Sequence, residues 1–207
     1  MDLPAAVYKT LFADIKERDE IYRRLLEMYN YDITYDWFQE LYEIEYAQRK
    51  KKQDFTPHSV TEIVSQIALE GKECTIHEPT AGTGGLIISA WWETIKNKIP
   101  WEIFPSKNMI NCWELSDRSI PFLLLNMSIR GMMGYVYHGD VLERKVVQKY
   151  ILLFATCLIS SKCDVKTVSC ILGHSNISTT LNTYVHPDAQ QKRDAIDSFF
   201  NKRRKSQ

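Results

Sequence analysis

The sequence predicts an α/β fold: a partial parallel sheet of about three strands, with an N-terminal helical segment and a small C-terminal helical unit. Between Cys74 and His138, short apolar strand patterns alternate with a glycine turn and helical stretches. Parallel strands joined by crossover helices produce that alternation. Upstream, over residues 5 to 50, apolar side chains recur at helical spacing among charged neighbours; beyond Val146 short helical patterns follow. The expected divisions are therefore 1–53, 54–145 and 146–207.

In the first segment Leu25, Met28 and Tyr29, then Trp37, Phe38, Leu41, Tyr42 and Ile44, form a stripe that reads as core packing. The basic run Arg49 to Lys52 ends it, and Asp54-Phe55-Thr56-Pro57 turns the chain into a helix over Val60 to Leu69. Strand patterns are expected at Cys74 to His77, Met109 to Trp113 and Tyr135 to His138. Helices are expected at Leu86 to Lys96 and Ile120 to Ile129, with a loop from Asn97 to Asn108. Further on, Ile151 to Ser160, Val165 to Leu172 and Ser178 to Val185 read as helices before a polar tail.

The formal charges cancel, but unevenly. Residues 1 to 50 hold 11 acidic and 7 basic side chains, whereas residues 151 to 207 hold 4 acidic and 8 basic. Weak DNA contact is therefore expected only through the basic C-terminal end, where Lys202 to Lys205 lie. The longest strongly apolar run, Ile151 to Ile159, is about half of what a membrane span needs, and no basic-then-apolar leader pattern is present. A cytoplasmic protein without membrane contact is expected. Five cysteines, at 74, 112, 157, 163 and 170, include no Cys-x-x-Cys pair and no histidine at zinc spacing. They read as small buried hydrophobes, and no metal site is expected.

The feature with chemical content is the turn Glu78-Pro79-Thr80-Ala81-Gly82-Thr83-Gly84-Gly85. A strand entering a helix through glycines leaves backbone N–H groups unpaired and lets a ligand come close to them. The Gly-x-Gly-Gly spacing matches neither a phosphate loop nor a dinucleotide fingerprint, so by itself it reads equally as a structural tight turn. Its neighbours add weight: Phe55-Thr56-Pro57 before it, Glu114 ending the second strand, and Gly139-Asp140 ending the third.

In this order the residues resemble the S-adenosylmethionine domain of adenine-N6 DNA methyltransferases, namely the modification subunits of type I restriction systems and their phage relatives. The likeness runs over roughly residues 50 to 143 and implies a partial Rossmann-like sheet. It implies that Phe55, Thr56 and Pro57 line the methionine side of the cofactor, and that Glu78 with Thr80, Ala81, Gly82, Thr83 and Gly84 holds its amino acid portion. Glu114 would accept from the ribose hydroxyls, and Asp140 would contact the adenine amino group. A carboxylate after the second strand makes independent sense, because it accepts from two hydroxyls at once. Taken singly, Glu114 reads as an exposed strand-end carboxylate and Asp140 as a cap before Val141.

The family holds its flipped target base with an Asn/Asp-Pro-Pro-aromatic motif on a fourth strand. Here the prolines stand at 4, 57, 79, 100, 105, 121 and 187, so no Pro-Pro pair exists. A sheet ending at three strands, with its first strand as an open edge, is the expectation, and with it the loss of methyl transfer.

The C-terminal stretch from about Phe154 to Phe200 resembles phage-type tyrosine recombinases through Leu172-Gly173-His174 and Thr179-Thr180-Leu181-Asn182-Thr183-Tyr184. That likeness implies Tyr184 as a DNA-attacking nucleophile and His174 as a phosphate stabiliser. The family's Arg-His pair, however, aligns with Ile151 and Leu152.

The sequence thus leads to a hybrid, truncated methyltransferase-family chain of a mobile element, binding S-adenosylmethionine and inactive alone. Two alternatives stand beside it. One is a noncatalytic DNA-binding or interaction module, completed by a complementary methyltransferase or specificity subunit. The other is residual recombinase function through Tyr184.

Overall fold

The computed structural model describes residues 2–42, 56–69, 72–99, 102–152, 164 and 166–167. The chain divides into two compact units, Met1–Phe154 and Ala155–Gln207. In the second, the side chain of Asp164 accepts the N–H of Thr167 at 3.0 Å, a cap where the helix from Val165 is expected to start. All elements named below belong to the first.

Helix α1 (Leu3–Leu11) carries Pro4 in its first turn, where a missing N–H costs nothing. Helix α2 (Ile15–Met28) is capped by Asp14, whose carboxylate accepts from Lys16 and Glu17 at 2.9 and 3.1 Å. The helical stripe expected across residues 5 to 50 is interrupted beyond α2. Asn30 and Tyr31 adopt left-handed φ values of 52° and 59°, and Asp32 turns the chain by accepting from the N–H and hydroxyl of Thr34. A side chain that bonds its own neighbouring backbone competes with helix. Residues 29–38 are accordingly irregular, and α3 is described over Gln39–Tyr42. Trp37, Phe38 and Tyr42 are buried as the stripe predicts, whereas Met28, 69% exposed, and Leu41, 37% exposed, are not. Ile44 lies outside the described residues.

Helix α4 (His58–Leu69) precedes β1 (Ile76–Glu78); α5 (Gly85–Ile95) leads by way of a 3₁₀ turn, Pro105–Lys107, to β2 (Ile110–Glu114). Helix α6 (Ile120–Ile129) follows, then β3 (Gly134–Asp140) and β4 (Lys145–Leu152). The sheet order is β1-β2-β3-β4, with the first two pairings parallel and the last antiparallel.

The fourth strand corrects two expectations: the sheet does not stop at three strands, and Ile151 and Leu152 are strand rather than helix. Asp140 accepts the N–H groups of Leu142 and Glu143 at 2.8 and 3.1 Å, and Arg144 takes φ 53°. This short turn sends Val146, Val147, Tyr150 and Ile151, all good strand formers, back along β3. Among the described residues β1 remains at one end of the sheet, as expected.

Helices α5 and α6 are apolar on nearly every side because each is covered on more than one. Ile87, Ile88, Leu123, Leu124 and Met127 meet the sheet residues Ile76, Ile110, Cys112 and Val136. On its other side α6 presents Phe122 and Leu125 to Trp37, Phe38 and Tyr42. Cys112 is fully buried, and that burial pushes its thiol pKa up, which suits an inert packing residue. On α4 the small polar residues face inward, Thr61 bonding Ser89 of α5 at 2.8 Å, while Val60, Ile63, Val64 and Ile67 stand exposed. Among the described residues no helix is long and apolar enough to cross a membrane.

Gly134 controls the β2–β3 pairing. At φ 151°, a Cβ there would lie 1.9 Å from the carbonyl oxygen of Ile110, its register partner. Gly134→Ala is expected to cost more than the ~0.5–3 kcal/mol of an ordinary destabilising substitution. Urea unfolding followed by circular dichroism checks this; a midpoint unchanged from that of the unsubstituted chain would contradict the close strand approach.

Candidate functional site

The C-terminal ends of β1, β2 and β3 bring Glu78, Glu114 and Asp140 to one edge of the sheet, and the glycine bend runs from that edge into α5. Open α/β sheets bind their ligands at this edge. Glu78 accepts the N–H and hydroxyl of Thr80 at 2.9 and 3.1 Å, which starts the turn. Ala81 donates its N–H to the Trp113 carbonyl at 2.8 Å, tying the bend to β2. Gly82 and Gly84 then take left-handed φ values of 58° and 109°, where a Cβ would be strained. The Gly84 N–H closes back on the Ala81 carbonyl at 2.9 Å. Gly84 is the N-cap of α5 and offers no capping side chain to the first-turn N–H groups.

Glu114 faces the bend. One carboxylate oxygen accepts the N–H of Gly82 and the other that of Ser116, both at 2.7 Å. The residue is only 7% exposed. Burial raises its pKa, and the backbone donors of Ser116, Gly82 and Leu115 oppose that rise.

A second carboxylate holds the next residue of the bend. Asp36, 8% exposed, accepts the hydroxyl of Thr83 at 2.5 Å, the amide of Asn126 at 2.7 Å and the N–H of Phe38 at 2.9 Å. The same Asn126 amide donates to the Thr83 carbonyl at 2.8 Å. Behind it Arg130 donates to the Asn126 side-chain oxygen at 2.8 Å and to the carbonyls of Ile33 and Tyr35, with its guanidinium 4.5 Å from the Trp37 ring centre. Burial pushes the Arg130 pKa down to about 10, with Asp36 and Asp32 pulling it back up, so it stays charged at neutral pH.

The Thr56-Pro57 segment approaches from the other direction. Gln39 donates its amide to the Thr56 carbonyl at 3.2 Å, and its side-chain oxygen would lie 3.5 Å from a Cβ on Gly85. The Pro57 carbonyl accepts the N–H groups of Val60 and Thr61 and so starts α4. Asp140 spends one oxygen capping the β3–β4 turn, a cap as the simple reading has it, though of a turn rather than a helix. Phe55, His174 and Tyr184 lie outside the described residues. A separate open pocket lined by Thr34, His58, Glu62, Ser89, Trp92 and Glu93 includes no residue of the bend.

The N-6 DNA methylase family model matches residues 33–164. The chain belongs to that family. The matched span reaches beyond the 50 to 143 read from motifs: it takes in Asp36 at one end and β4 at the other. A 46-residue stretch is 47% identical to the tyrosine recombinase XerC-like protein of Caldanaerobacter subterraneus subsp. tengcongensis. That stretch covers 22% of this chain and 12% of the recombinase-like protein. No solved structure matches the chain significantly.

In this N-6 DNA methylase-family chain, motif reading missed Asp36, Gln39, Asn126 and Arg130. Asn126 carried a signal, as a polar residue inside the apolar run Phe122 to Met127.

Glu114 yields a pH test with a definite sign. Its folded pKa lies above the ordinary 4.5, so the stability it contributes is full below the unfolded value and is lost as pH rises through the folded one. Glu114→Gln removes this titration and one acceptor, worth ~1 kcal/mol. The stability of the unsubstituted chain relative to the variant should fall as pH climbs from 4.5 through the raised value. Denaturant melts at several pH values measure it; a difference independent of pH would rule out a buried, titrating Glu114.

Proposed function

We propose that this chain is a truncated adenine-N6 methyltransferase-family protein that binds S-adenosylmethionine at the glycine bend and does not transfer the methyl group on its own. Methyltransferases of this family act on DNA, typically with that cofactor. The observation that carries the reading is Glu114, which spans from the end of β2 to the Gly82 N–H.

The residues present fit the cofactor. Glu114 accepts the N–H groups of Gly82 and Ser116, with the Leu115 N–H as a third backbone donor, and a carboxylate has about four acceptor positions in all. Capacity for one ribose hydroxyl remains beside these donors, and a second would have to share or replace one of them. Glu78 and the Thr80 to Gly84 backbone would hold the amino acid portion, although the N–H groups of Thr80, Ala81, Gly82 and Gly84 already have partners within the protein; Thr56 and Pro57 with Phe55 would line the methionine side, and Asp140 would meet the adenine amino group. The cofactor, when bound, supplies an electrophilic methyl group on a sulfonium. This chain's contribution is to bind and orient it.

Transfer needs a second set of groups to hold an extruded adenine amino nitrogen in line with that methyl. The sequence has no Pro-Pro pair to supply them. In addition, β4 turns back antiparallel directly after the Asp140 turn. A complementary methyltransferase or specificity subunit would have to provide the missing half, with weak DNA contact added by the basic C-terminal end.

Calorimetric titration with S-adenosylmethionine should give saturable heat. At a hundred times the dissociation constant, ligand should raise unfolding stability by ~2.7 kcal/mol. Transfer of a labelled methyl to duplex DNA should stay at background. A folded chain without cofactor heat would overturn the binding half of the proposal, and methylated adenine would overturn the other.

A second reading for the C-terminal part rests on Leu172-Gly173-His174 and Thr179 to Tyr184: a unit of recombinase descent, with Tyr184 and His174 as remnants. The positions that align with that family's Arg-His pair, Ile151 and Leu152, are strand residues here. Loss of one preorganised phosphate stabiliser typically costs ~3 kcal/mol of transition-state binding. Incubation with nicked DNA should leave no covalent adduct; an adduct abolished in Tyr184→Phe would establish strand cleavage instead.

A further inference from the structure

We infer that Asp36 is a positioning residue for the cofactor bend, and that the N-terminal segment is therefore part of the binding site rather than an appendage to it. The inference rests on the S-adenosylmethionine reading of the bend and adds a residue that no motif assigns.

Thr83 is the one non-glycine between two glycines in left-handed conformation. Such a stretch has wide conformational freedom, and a ligand that orders it must offset the lost entropy. In this structure the hydroxyl and the carbonyl of Thr83 are already engaged. Its hydroxyl donates to Asp36 at 2.5 Å, and its carbonyl accepts the Asn126 amide at 2.8 Å. Asn126 in turn bonds the other Asp36 oxygen at 2.7 Å and is oriented by Arg130 at 2.8 Å. The Asp36 carboxylate thus joins three stretches of chain distant in sequence: the irregular segment before α3, the bend, and the middle of α6. It lies beside the start of α5, since a Cβ on Gly85 would come within 4.0 Å of one of its oxygens. Together with the Glu114 bond to Gly82, this holds two successive residues of the bend before any ligand arrives, which is preorganisation in the strict sense.

The test compares Asp36→Asn and the milder Thr83→Val with a core control, Ile110→Val, at a temperature where all are folded. Thr83→Val removes the hydroxyl but keeps the shape, so it covers the case in which Asp36→Asn fails to fold. Amide hydrogen exchange in the absence of ligand should quicken at Thr83 to Leu86 in both test variants, with β3 unchanged. Affinity for S-adenosylmethionine should fall tenfold or more in both and stay within twofold in the control. Affinity in Thr83→Val equal to that of the control would overturn the inference, as would exchange that quickens evenly across the sheet. If the unsubstituted chain binds no cofactor, the parent reading fails and the binding role of Asp36 falls with it. If the unsubstituted chain binds and the variants bind as well, only the role of Asp36 fails.

Discussion

Two buried carboxylates grip adjacent residues of one glycine bend, and the architecture of the first unit is arranged around that grip. Glu114 reaches the bend from the sheet and Asp36 reaches it from the N-terminal segment. Neither contact is local in sequence, so the bend takes its shape only when the sheet, α6 and the N-terminal segment have all assembled. Both carboxylates are almost fully removed from water, a costly situation unless every lone pair that matters finds a donor. Here the donors are backbone N–H groups, a hydroxyl and an amide, with the Arg130 guanidinium behind them. A partly satisfied arrangement would be worse than an apolar core.

The same arrangement explains why α6 is buried on two sides. One face closes the sheet core and the other closes the aromatic cluster of Trp37, Phe38 and Tyr42. Asn126 and Arg130 are the polar residues on that helix and its cap that carry the contact from one cluster to the other. A helix in such a position shows little amphipathic signal, because no face is left for water.

How much of this was legible in sequence varied with the physics of each element. The limits of α6 were read as they stand, since Pro121 opens the run and Gly131 closes it around uniformly apolar residues. The strands β1 to β3 were legible because each sits against a buried layer. Strand β4 was not: from Lys145 to Lys149 its residues are exposed, so no apolar-polar alternation marks it, and its pairing is specified by β3 across a turn. The bend and Glu114 were readable as a motif, whereas Asp36 was hidden inside a charged, helix-like stretch. Its partners Thr83 and Asn126 lie 47 and 90 residues away, and a single sequence carries no trace of such distant pairing. The stripe reading failed at Met28 and Leu41 for a related reason: two left-handed residues reset the helical phase between them.

The turn between β3 and β4 also bears on the order in which the sheet can assemble. Antiparallel neighbours separated by residues 141–144 meet after closing a very short loop, and hairpins form on the microsecond scale. The parallel pairings must wait for whole crossover helices to find their place, which is slower. A chain emerging from synthesis would therefore hold β3 against its late partner early, as a small two-stranded ribbon with Gly134 near one end. The earlier-made β1 and β2 would dock onto a template already formed, reversing in time the order in which they are written in the gene.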